Sequence, residues 1–301
     1  MTDLLARFRT ANRATRRATA LAAVLVVALG FAVTRVSLPL PVRVFAVAGQ
    51  AVVAHPDGNR VVVANEHTVS IVDTATGAVT ATVALGAVTL CSAAAMVPGT
   101  SRALFVGTFA ENAVLAAVDV DAATVTSVTV LKDRPEAATK ATSIAVDRSG
   151  AVLLGSKVAA GVDGRVWRSG STGVDGVAGS GSAYEIYDRL ALSPDGRRLF
   201  ATGTSRALVV DTVTGRIDKD IRRADLVAVT DPMVRFAADG EHVFTAGSGT
   251  REVTVRALTG EPVRTVEAGG RVNGIALSPD GATLYAILSD RLLAIDVSRY
   301  T

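Results

Sequence analysis

The residues of this sequence that could perform chemistry are few and are scattered along the chain. The three histidines occur in the stretches HPDG (His55), NEHT (His67) and DGEH (His242), and no HExxH pair is present. His55 and His242 flank turns, which is typical of surface or turn residues, so the sequence predicts no metal site. The single cysteine, Cys91, lies among Ala and Val, which favours a small buried side chain over a nucleophile.

The motifs of the common nucleophile and cofactor sites are absent. No G-x-S-x-G elbow, Walker loop or dinucleotide fingerprint occurs in the sequence. The stretch VDVDAAT at 118–124 has two spaced aspartates but lacks the Gly and the distal Glu of a calcium loop. We therefore predict no cofactor, and the catalytic residues of any reaction stay unknown at this stage.

The positive charge of the chain is concentrated at its N-terminus. The formal net charge is +3, yet residues 1–17 contain five arginines against one aspartate. The remainder of the chain is therefore close to neutral and slightly negative. A basic surface for phosphates is not indicated, and we predict no nucleic-acid partner.

An uncharged apolar run, ATALAAVLVVALGFAVT, follows at 18–34 and ends at Arg35. Seventeen helical residues rise about 26 Å, which is at the short end for a bilayer span. We predict a basic cytoplasmic arm at 1–17, a transmembrane signal-anchor helix at 18–35 and a linker at 36–42. The domain at 43–301 would then lie outside the cytoplasm as part of a single-pass membrane protein. The alternative is a cleavable signal peptide, which would make the protein secreted.

After residue 50 the sequence repeats units of short β-branched runs that are broken by Pro, Asp and Gly. The turn glycines Gly150, Gly196, Gly240 and Gly281 follow one another at intervals in the forties. Each unit contains four such runs, which predicts four β-strands. A period in the forties with four strands per unit indicates an all-β fold, the β-propeller.

The segment that precedes the repeats predicts how the propeller closes. PVRVFAVAG at 41–49 is similar to PVRTVEAGG at 262–270, where a fourth strand is expected. The last unit, from about residue 272, supplies only three strands before the chain ends. We predict that residues 43–48 pair alongside residues 291–297 and close a six-bladed propeller.

Two short motifs link these units to a known family. SPDG-x-x-L-[FY] occurs at 193–200, and D-T-x-T-G occurs at 73–77 and 211–215. Over about residues 43–300 the chain resembles the YVTN-type β-propeller repeat proteins of surface layers and other exported proteins, which are related to lactonase-like propellers. The resemblance implies the fold but no single activity. An Ala-, Val- and Arg-rich composition is compatible with a bacterial, GC-rich genome.

In such a propeller the first strand of each unit begins at one face, which we call the top face. The loops between second and third strands and the connections between units lie there. Polar residues of these loops are our candidate ligand-binding set: Glu66, His67, Glu111, Asn112, Lys140, Tyr187, Asp188, Asp231, Asn273 and Asp290.

Two function classes fit these observations. The first is a membrane-anchored binding module whose top face binds a protein, a peptide, a glycan or a small polar ligand. The second is a lactonase-like hydrolase or a lyase with its site at the top mouth of the central channel. We favour the first, because the sequence contains no catalytic motif and a fold alone does not imply an activity.

Overall fold

The computed structural model describes residues 42–131, 141–156, 165–170, 173–179, 187–203, 206–222, 233–247 and 250–299. The chain divides into two compact units, 1–36 and 37–301, and all described residues belong to the second. The predicted arm at 1–17 and helix at 18–35 lie outside the described residues. Within the part that is described, no helix is long and apolar enough to span a membrane.

Every regular element of the described residues is a β-strand, and the strands form six four-stranded antiparallel sheets. We number the sheets by the chain order of their first strands. Sheet 1 contains β2 (Ala51–Ala54), β3 (Arg60–Asn65), β4 (Thr68–Asp73) and β5 (Val79–Ala84). Sheet 2 contains β6 (Thr89–Met96), β7 (Arg102–Phe109), β8 (Asn112–Asp119) and β9 (Thr124–Val130). Sheet 3 contains β10 (Ala141–Val146), β11 (Val152–Ser156), β12 (Arg165–Gly170) and β13 (Gly173–Gly179).

The remaining three sheets are built in the same way, with one exception in the last. Sheet 4 contains β14 (Tyr187–Leu192), β15 (Arg198–Gly203), β16 (Arg206–Asp211) and β17 (Ile217–Arg222). Sheet 5 contains β18 (Met233–Phe236), β19 (His242–Ala246), β20 (Glu252–Ala257) and β21 (Pro262–Glu267). Sheet 6 contains β22 (Val272–Leu277), β23 (Thr283–Leu288), β24 (Leu292–Asp296) and, as its outer strand, β1 (Val42–Phe45).

The pairing of β1 joins the two ends of the described chain. Val42 lies opposite Ile295 and Phe45 lies opposite Leu292, in an antiparallel register. The predicted pairing of residues 43–48 with the last unit is therefore confirmed over residues 43–45; the strand also includes Val42, while residues 46–48 are not part of it. The guanidinium Nη1 of Arg43 donates a 2.7 Å hydrogen bond to the carbonyl oxygen of Thr74, which belongs to sheet 1. This bond connects the closing strand to the next sheet.

The first strands of the sheets are neighbours in a closed cycle, which is the arrangement of a β-propeller. β2 contacts β6, β6 contacts β10, and the series continues through β14, β18 and β22 back to β2. Six hydrophobic clusters lie one at each junction between successive sheets. Large buried side chains such as Phe105, Phe200 and Phe244 come from the second strands. Alternating β-branched and aromatic residues therefore bury both faces of each sheet against its neighbours.

The D-T-x-T-G motif has a clear structural reason. In sheet 4 the carboxylate of Asp211 accepts hydrogen bonds from the backbone N–H groups of Val213 and Thr214, which form the turn between the third and fourth strands. The hydroxyl of Thr212 donates a 2.7 Å hydrogen bond to the carbonyl oxygen of Gly196 in the turn between the first and second strands. The motif at 73–77 makes the same bonds in sheet 1. The motif thus ties the two turns at one end of a sheet together.

Candidate functional site

The top-face candidates of sheet 1, Glu66 and His67, form the turn between β3 and β4, and both are exposed. The carbonyl oxygen of Glu66 accepts a 2.7 Å hydrogen bond from the N–H of Leu90, at the beginning of sheet 2. The carbonyl oxygen of His67 accepts one from the N–H of Leu85, and its ring Nδ1 lies 3.0 Å from the carbonyl oxygen of Val88. The backbone of this turn therefore supports the connection to the next sheet, while the carboxylate of Glu66 faces solvent.

The same support recurs where sheet 5 leads into sheet 6. The N–H of Val272 donates to the carbonyl oxygen of Thr250, and the N–H of Ala268 donates to that of Arg251. Connections between sheets at the top face are thus bonded to the neighbouring hairpin turn at both junctions. Such bonds satisfy backbone N–H and C=O groups that would otherwise be unpaired at the ends of strands. They also hold these loops in place.

The candidates Glu111 and Asn112 lie at the tight turn between β7 and β8. Ala110 and Glu111 both have positive φ angles, 46° and 66°, as in a type I′ hairpin turn. The side-chain Nδ2 of Asn112 donates a 2.8 Å hydrogen bond to the carbonyl oxygen of Ala110, which stabilises the turn. Asn112 is therefore a structural residue, and the exposed Glu111 remains available to a partner.

The candidates of sheet 6 are Asn273 and Asp290. The Nδ2 atom of Asn273 lies 3.4 Å from the carbonyl oxygen of Gly49 and 3.5 Å from Oγ of Ser289. Asn273 therefore links sheet 6 to the segment between β1 and β2. The carboxylate of Asp290 is exposed and lies 3.6 Å from the guanidinium of its neighbour Arg291.

The four other candidates lie partly or wholly outside the description. Lys140 and Asp231 are not among the described residues. Tyr187 and Asp188 are placed only as backbone of β14, with Tyr187 opposite Gly203 and a register shift before Arg189. Among the described candidates, no hydrogen bond or ion pair connects residues of different sheets to one another, so they form a dispersed rim and not a convergent site.

A convergent set of polar groups lies instead inside the cycle of first strands. All six first strands line a narrow upper segment of an axial channel, with a volume of about 20 Å³. Most of its lining is Ala, Val, Ile, Leu, Met or Gly, and the polar exceptions are Ser143, Arg189 and Arg235. Polar groups that converge in an otherwise apolar cavity are typical of a ligand site.

The positive charges of Arg189 and Arg235 interact with each other in this segment. Burial in the channel, together with the positive charge of Arg189, lowers the pKa of Arg235 to about 10. Arg235 is nevertheless charged at neutral pH. Among the described residues, its one hydrogen bond is a 2.7 Å contact from Nη1 to the carbonyl oxygen of Val234. Among the described carboxylates, none is paired with it.

Ser143 adds a polar group that lacks a partner. Ser143 is 4% exposed, and its Oγ atom makes no hydrogen bond to any residue that the structure describes. Buried hydroxyls usually do find a partner, because an unsatisfied one costs about 1–3 kcal/mol. Ser143 lines the same upper segment as the two arginines.

Below this segment the channel widens. The lower segment has a volume of about 270 Å³ and is again lined by all six first strands. Most of its described lining residues have aliphatic or aromatic side chains, such as Val146, Leu192 and Phe236, and Arg235 is the one charged residue among them. Arg235 therefore borders both segments.

Our sequence analysis did not select these channel residues, although a signal was present. The position five residues before each turn glycine is occupied by Val or Ala in five repeats and by Arg in the sixth. The six residues are Val53, Ala94, Ala145, Ala191, Arg235 and Ala276, and all of them line the lower segment. An arginine at an inward position that is otherwise small and apolar is the exception that marks the site.

We predicted that His55 is a surface or turn residue, and the prediction of a surface position is wrong. The His55 side chain is buried, at 6% exposure, and its Nδ1 lies 3.0 Å from a carboxylate oxygen of Asp57. Arg60 forms ion pairs with Asp57, at 2.7 Å, and with Asp121 of sheet 2, at 2.6 Å. The group joins two sheets at the face opposite to the top, and within it only His55 is buried.

No cluster of three or more potential metal ligands occurs among the residues that the structure describes. No protein-family model matches the chain, and no curated protein matches it. The fold is common, since 1293 chains of solved structures match it. One is the Kuenenia stuttgartiensis hydrazine synthase, with a TM-score of 0.59 and 15% identity over 88% of this chain and 98% of that chain. At this identity the similarity supports the propeller-like fold alone.

The turn aspartates allow a prediction of how stability depends on pH. The hydroxyls of Ser193 and Ser278 lower the pKa values of Asp195 and Asp280, and the Thr76 hydroxyl lowers that of Asp73. An aspartate whose pKa is lowered in the folded state stabilises the fold at pH values above its ordinary pKa of about 3.9. This stabilisation is lost as the pH falls through the lower folded-state pKa. We expect the melting temperature to be nearly constant from pH 7 to about 5 and to fall below about pH 4. Circular dichroism melts will check this, and a marked fall between pH 7 and 5 would contradict it.

Proposed function

We propose that this chain is a binding module, a six-bladed β-propeller closed by its N-terminal strand, that presents its top face to a protein, peptide or glycan partner. The cycle of six sheets supports the blade count, and the pairing of β1 with β24 supports the closure. The motifs at 73–77, 193–200 and 211–215 support membership of the YVTN-type repeat proteins.

The observation that carries the binding role is the construction of the top-face loops. At the two described junctions the loop backbones are hydrogen-bonded to neighbouring connections, as at Glu66, while the exposed carboxylates of Glu66 and Glu111 face solvent and can contact a partner. Because the loops at these two junctions are held by backbone hydrogen bonds, binding to them would cost little conformational entropy. Rigid loops on a stable scaffold are a common means of recognition.

The alternative is a hydrolase or lyase with its site at the top mouth of the channel. The convergence of Arg189, Arg235 and Ser143 favours it, because such groups could stabilise negative charge in a transition state. Against it, every described carboxyl group with a shifted pKa is shifted downward, as at Asp195 and Asp239, so none of these is suited to act as a general acid at neutral pH. We therefore prefer the binding role.

The membrane anchor at 18–35, with the propeller outside the cytoplasm, is part of the proposal. Its support is the uncharged run between Arg17 and Arg35 and the basic arm before it. Protease treatment of intact cells should digest the propeller from outside and leave the arm protected. A propeller that is released into the medium would instead indicate a cleaved signal peptide.

The binding role is tested by capture of partners on the full chain, solubilised in a mild detergent. We expect the double variant Glu66→Ala/Glu111→Ala to retain at least about fivefold less partner than the parent chain, because both carboxylates lie on the proposed contact surface. The matched control, Glu241→Ala/Glu261→Ala, removes two exposed carboxylates from the opposite face. Equal capture by parent, test and control proteins would contradict the top-face assignment.

A further inference from the structure

We propose that sheet 2 binds an extended segment of another protein, which adds a strand to the free edge of β9 and covers the valines beside that edge. The segment is uncharged at its centre and carries β-branched apolar residues at every second position. This surface is the perimeter of one sheet and not the top face. The inference therefore goes beyond the proposed top-face role, and either can fail without the other.

The outer strand of sheet 2 is exposed along its whole length. All seven residues of β9, TVTSVTV, are exposed. β9 is the last strand of its sheet, so within the described part of the chain its outer edge pairs with no other strand. Unpaired backbone N–H and C=O groups along such an edge are a template for another extended chain. The edge therefore specifies an extended backbone as its occupant.

β9 lacks the charged residues and prolines that commonly protect an edge strand from pairing, since it contains only Val, Thr and Ser. β5 is uncharged too, but Val79 is its one exposed valine, because Val83 is buried. The other outer strands contain charged residues or a proline: Asp218, Lys219 and Asp220 in β17, Pro262 and Arg264 in β21, Arg43 in β1 and Asp175 in β13. β9 is therefore the edge that is best suited to the addition of a strand.

A β-bulge near Thr126 leaves most of this edge regular. The register between β8 and β9 shifts there, and equivalent shifts occur at β5, β17 and β21. Residues 127–130 then pair one by one with β8. Four residues of strand span about 14 Å, which is enough for main-chain pairing with a short segment.

A strip of exposed valines lies beside the edge, on the face of sheet 2 that is turned toward sheet 1. Val125, Val128 and Val130 lie opposite residues of β8, such as Val114, that belong to the hydrophobic cluster between sheets 1 and 2. The three valines themselves are 37–42% exposed. An exposed apolar strip that continues a buried cluster is typical of a surface that a partner covers.

The strip defines the side chains of the occupant. Side chains alternate between the two faces of a strand, so every second residue of an added strand lies on the face that carries the valines. Apolar β-branched residues at these positions would be removed from water together with Val128 and Val130. A charged residue there would lie among valines, which is unfavourable, so the centre of the segment is uncharged.

A second copy of this chain fits the edge less well than a separate segment does. Two identical edges related by a two-fold axis can pair only as antiparallel strands, and this turns the two top faces in opposite directions. Two copies anchored in one membrane through residues 18–35 would have their top faces turned the same way. This step rests on the proposed anchor, and the experiment below tests it separately.

The test uses the full chain in a mild non-ionic detergent and the fluorescein-labelled peptide KVTVTVK as the probe, with binding followed by fluorescence anisotropy. Along a strand the N–H groups of alternate residues point to opposite edges. N-methylation of the three valines and N-methylation of the two threonines therefore block opposite edges of the peptide. We expect one methylated peptide to bind at least about tenfold more weakly and the other to bind within about threefold of the parent peptide. Equal effects of the two methylations would overturn the proposal.

Variants of β9 locate the contact. Val128→Lys should weaken peptide binding at least about tenfold, because it places a charge on the apolar strip and the edge. Val128→Thr, which keeps the shape of the side chain, should weaken binding about threefold. Since Val128 is 42% exposed, both variants should melt like the parent. Val44→Lys, at an exposed position of the outer strand of sheet 6, is the matched control and should bind like the parent.

Two further results would contradict the proposal. One is unchanged peptide binding by Val128→Lys. The other is a dimer of the parent chain, seen by size-exclusion chromatography in detergent, that Val128→Lys abolishes, because a second copy would then be the occupant of the edge. Capture of top-face partners by Val128→Lys should equal that of the parent, so a failure of this inference is distinguishable from a failure of the top-face role.

Discussion

Replacement of Phe45 by alanine is expected to lower the free energy of unfolding by about 3–5 kcal/mol, the usual cost of truncating a buried phenylalanine. Phe45 is 5% exposed and belongs to the hydrophobic cluster between sheets 6 and 1. A Cβ atom on Gly77, in sheet 1, would collide with the Phe45 ring, which illustrates how closely the two sheets approach there. Chemical denaturation of the full chain will measure the change.

The matched control for Phe45→Ala lies next to it in the same strand. Val44 is 60% exposed, so Val44→Ala should change the free energy of unfolding by less than about 0.5 kcal/mol. If both substitutions had similarly small effects, β1 would not be packed between sheets 6 and 1. That result would argue against closure of the propeller by this strand.

The second large effect is expected at Phe200, in the second strand of sheet 4. Its side chain is fully buried, and its ring meets that of Phe236 in sheet 5 edge to face, with centroids 6.3 Å apart and an interplanar angle of 89°. Phe200→Ala should cost about 3–5 kcal/mol, because it leaves a cavity and removes an aromatic pair at a junction between sheets.

Phe109 provides the control for Phe200. It lies at the end of β7 and is 42% exposed, so Phe109→Ala should be clearly milder than Phe200→Ala in the same denaturation assay. If the two variants were equally stable, the junctions between sheets would not be the main source of stability, contrary to the packing described above.

The strands and turns of this propeller could be predicted from the sequence because their signals are local. The turn glycines Gly58, Gly150, Gly196, Gly240 and Gly281 all have φ angles between 69° and 83°, a region that favours glycine. The closing strand could be predicted because a missing fourth strand at the C-terminus coincides with a spare one at the N-terminus. Both predictions follow from comparing the repeat units of the sequence with one another.

The candidate site could be predicted much less well, because it depends on which side chains face the channel. The choice of top-face loops was based on exposure and polarity, and in the structure Asn112 and Asn273 make intramolecular bonds. Arg235 and Ser143 come from strands distant in sequence, and only the cycle of first strands brings them to one cavity. A comparison of inward positions between repeats is the analysis that would have found the arginine.

The closure of the ring is tested most directly by a disulfide between its two ends. Val44 lies opposite Leu293 in the register of β1 and β24, so cysteines at these two positions, in a Cys91→Ser background, should form a bond under mild oxidation. The pair Val79→Cys/Leu293→Cys, whose positions belong to different sheets, is the control. We predict near-complete cross-linking of the first pair, seen as a mobility shift on a non-reducing gel, and none of the second. Cross-linking of neither pair, or equal cross-linking of both, would contradict the closure of the propeller by its N-terminal strand.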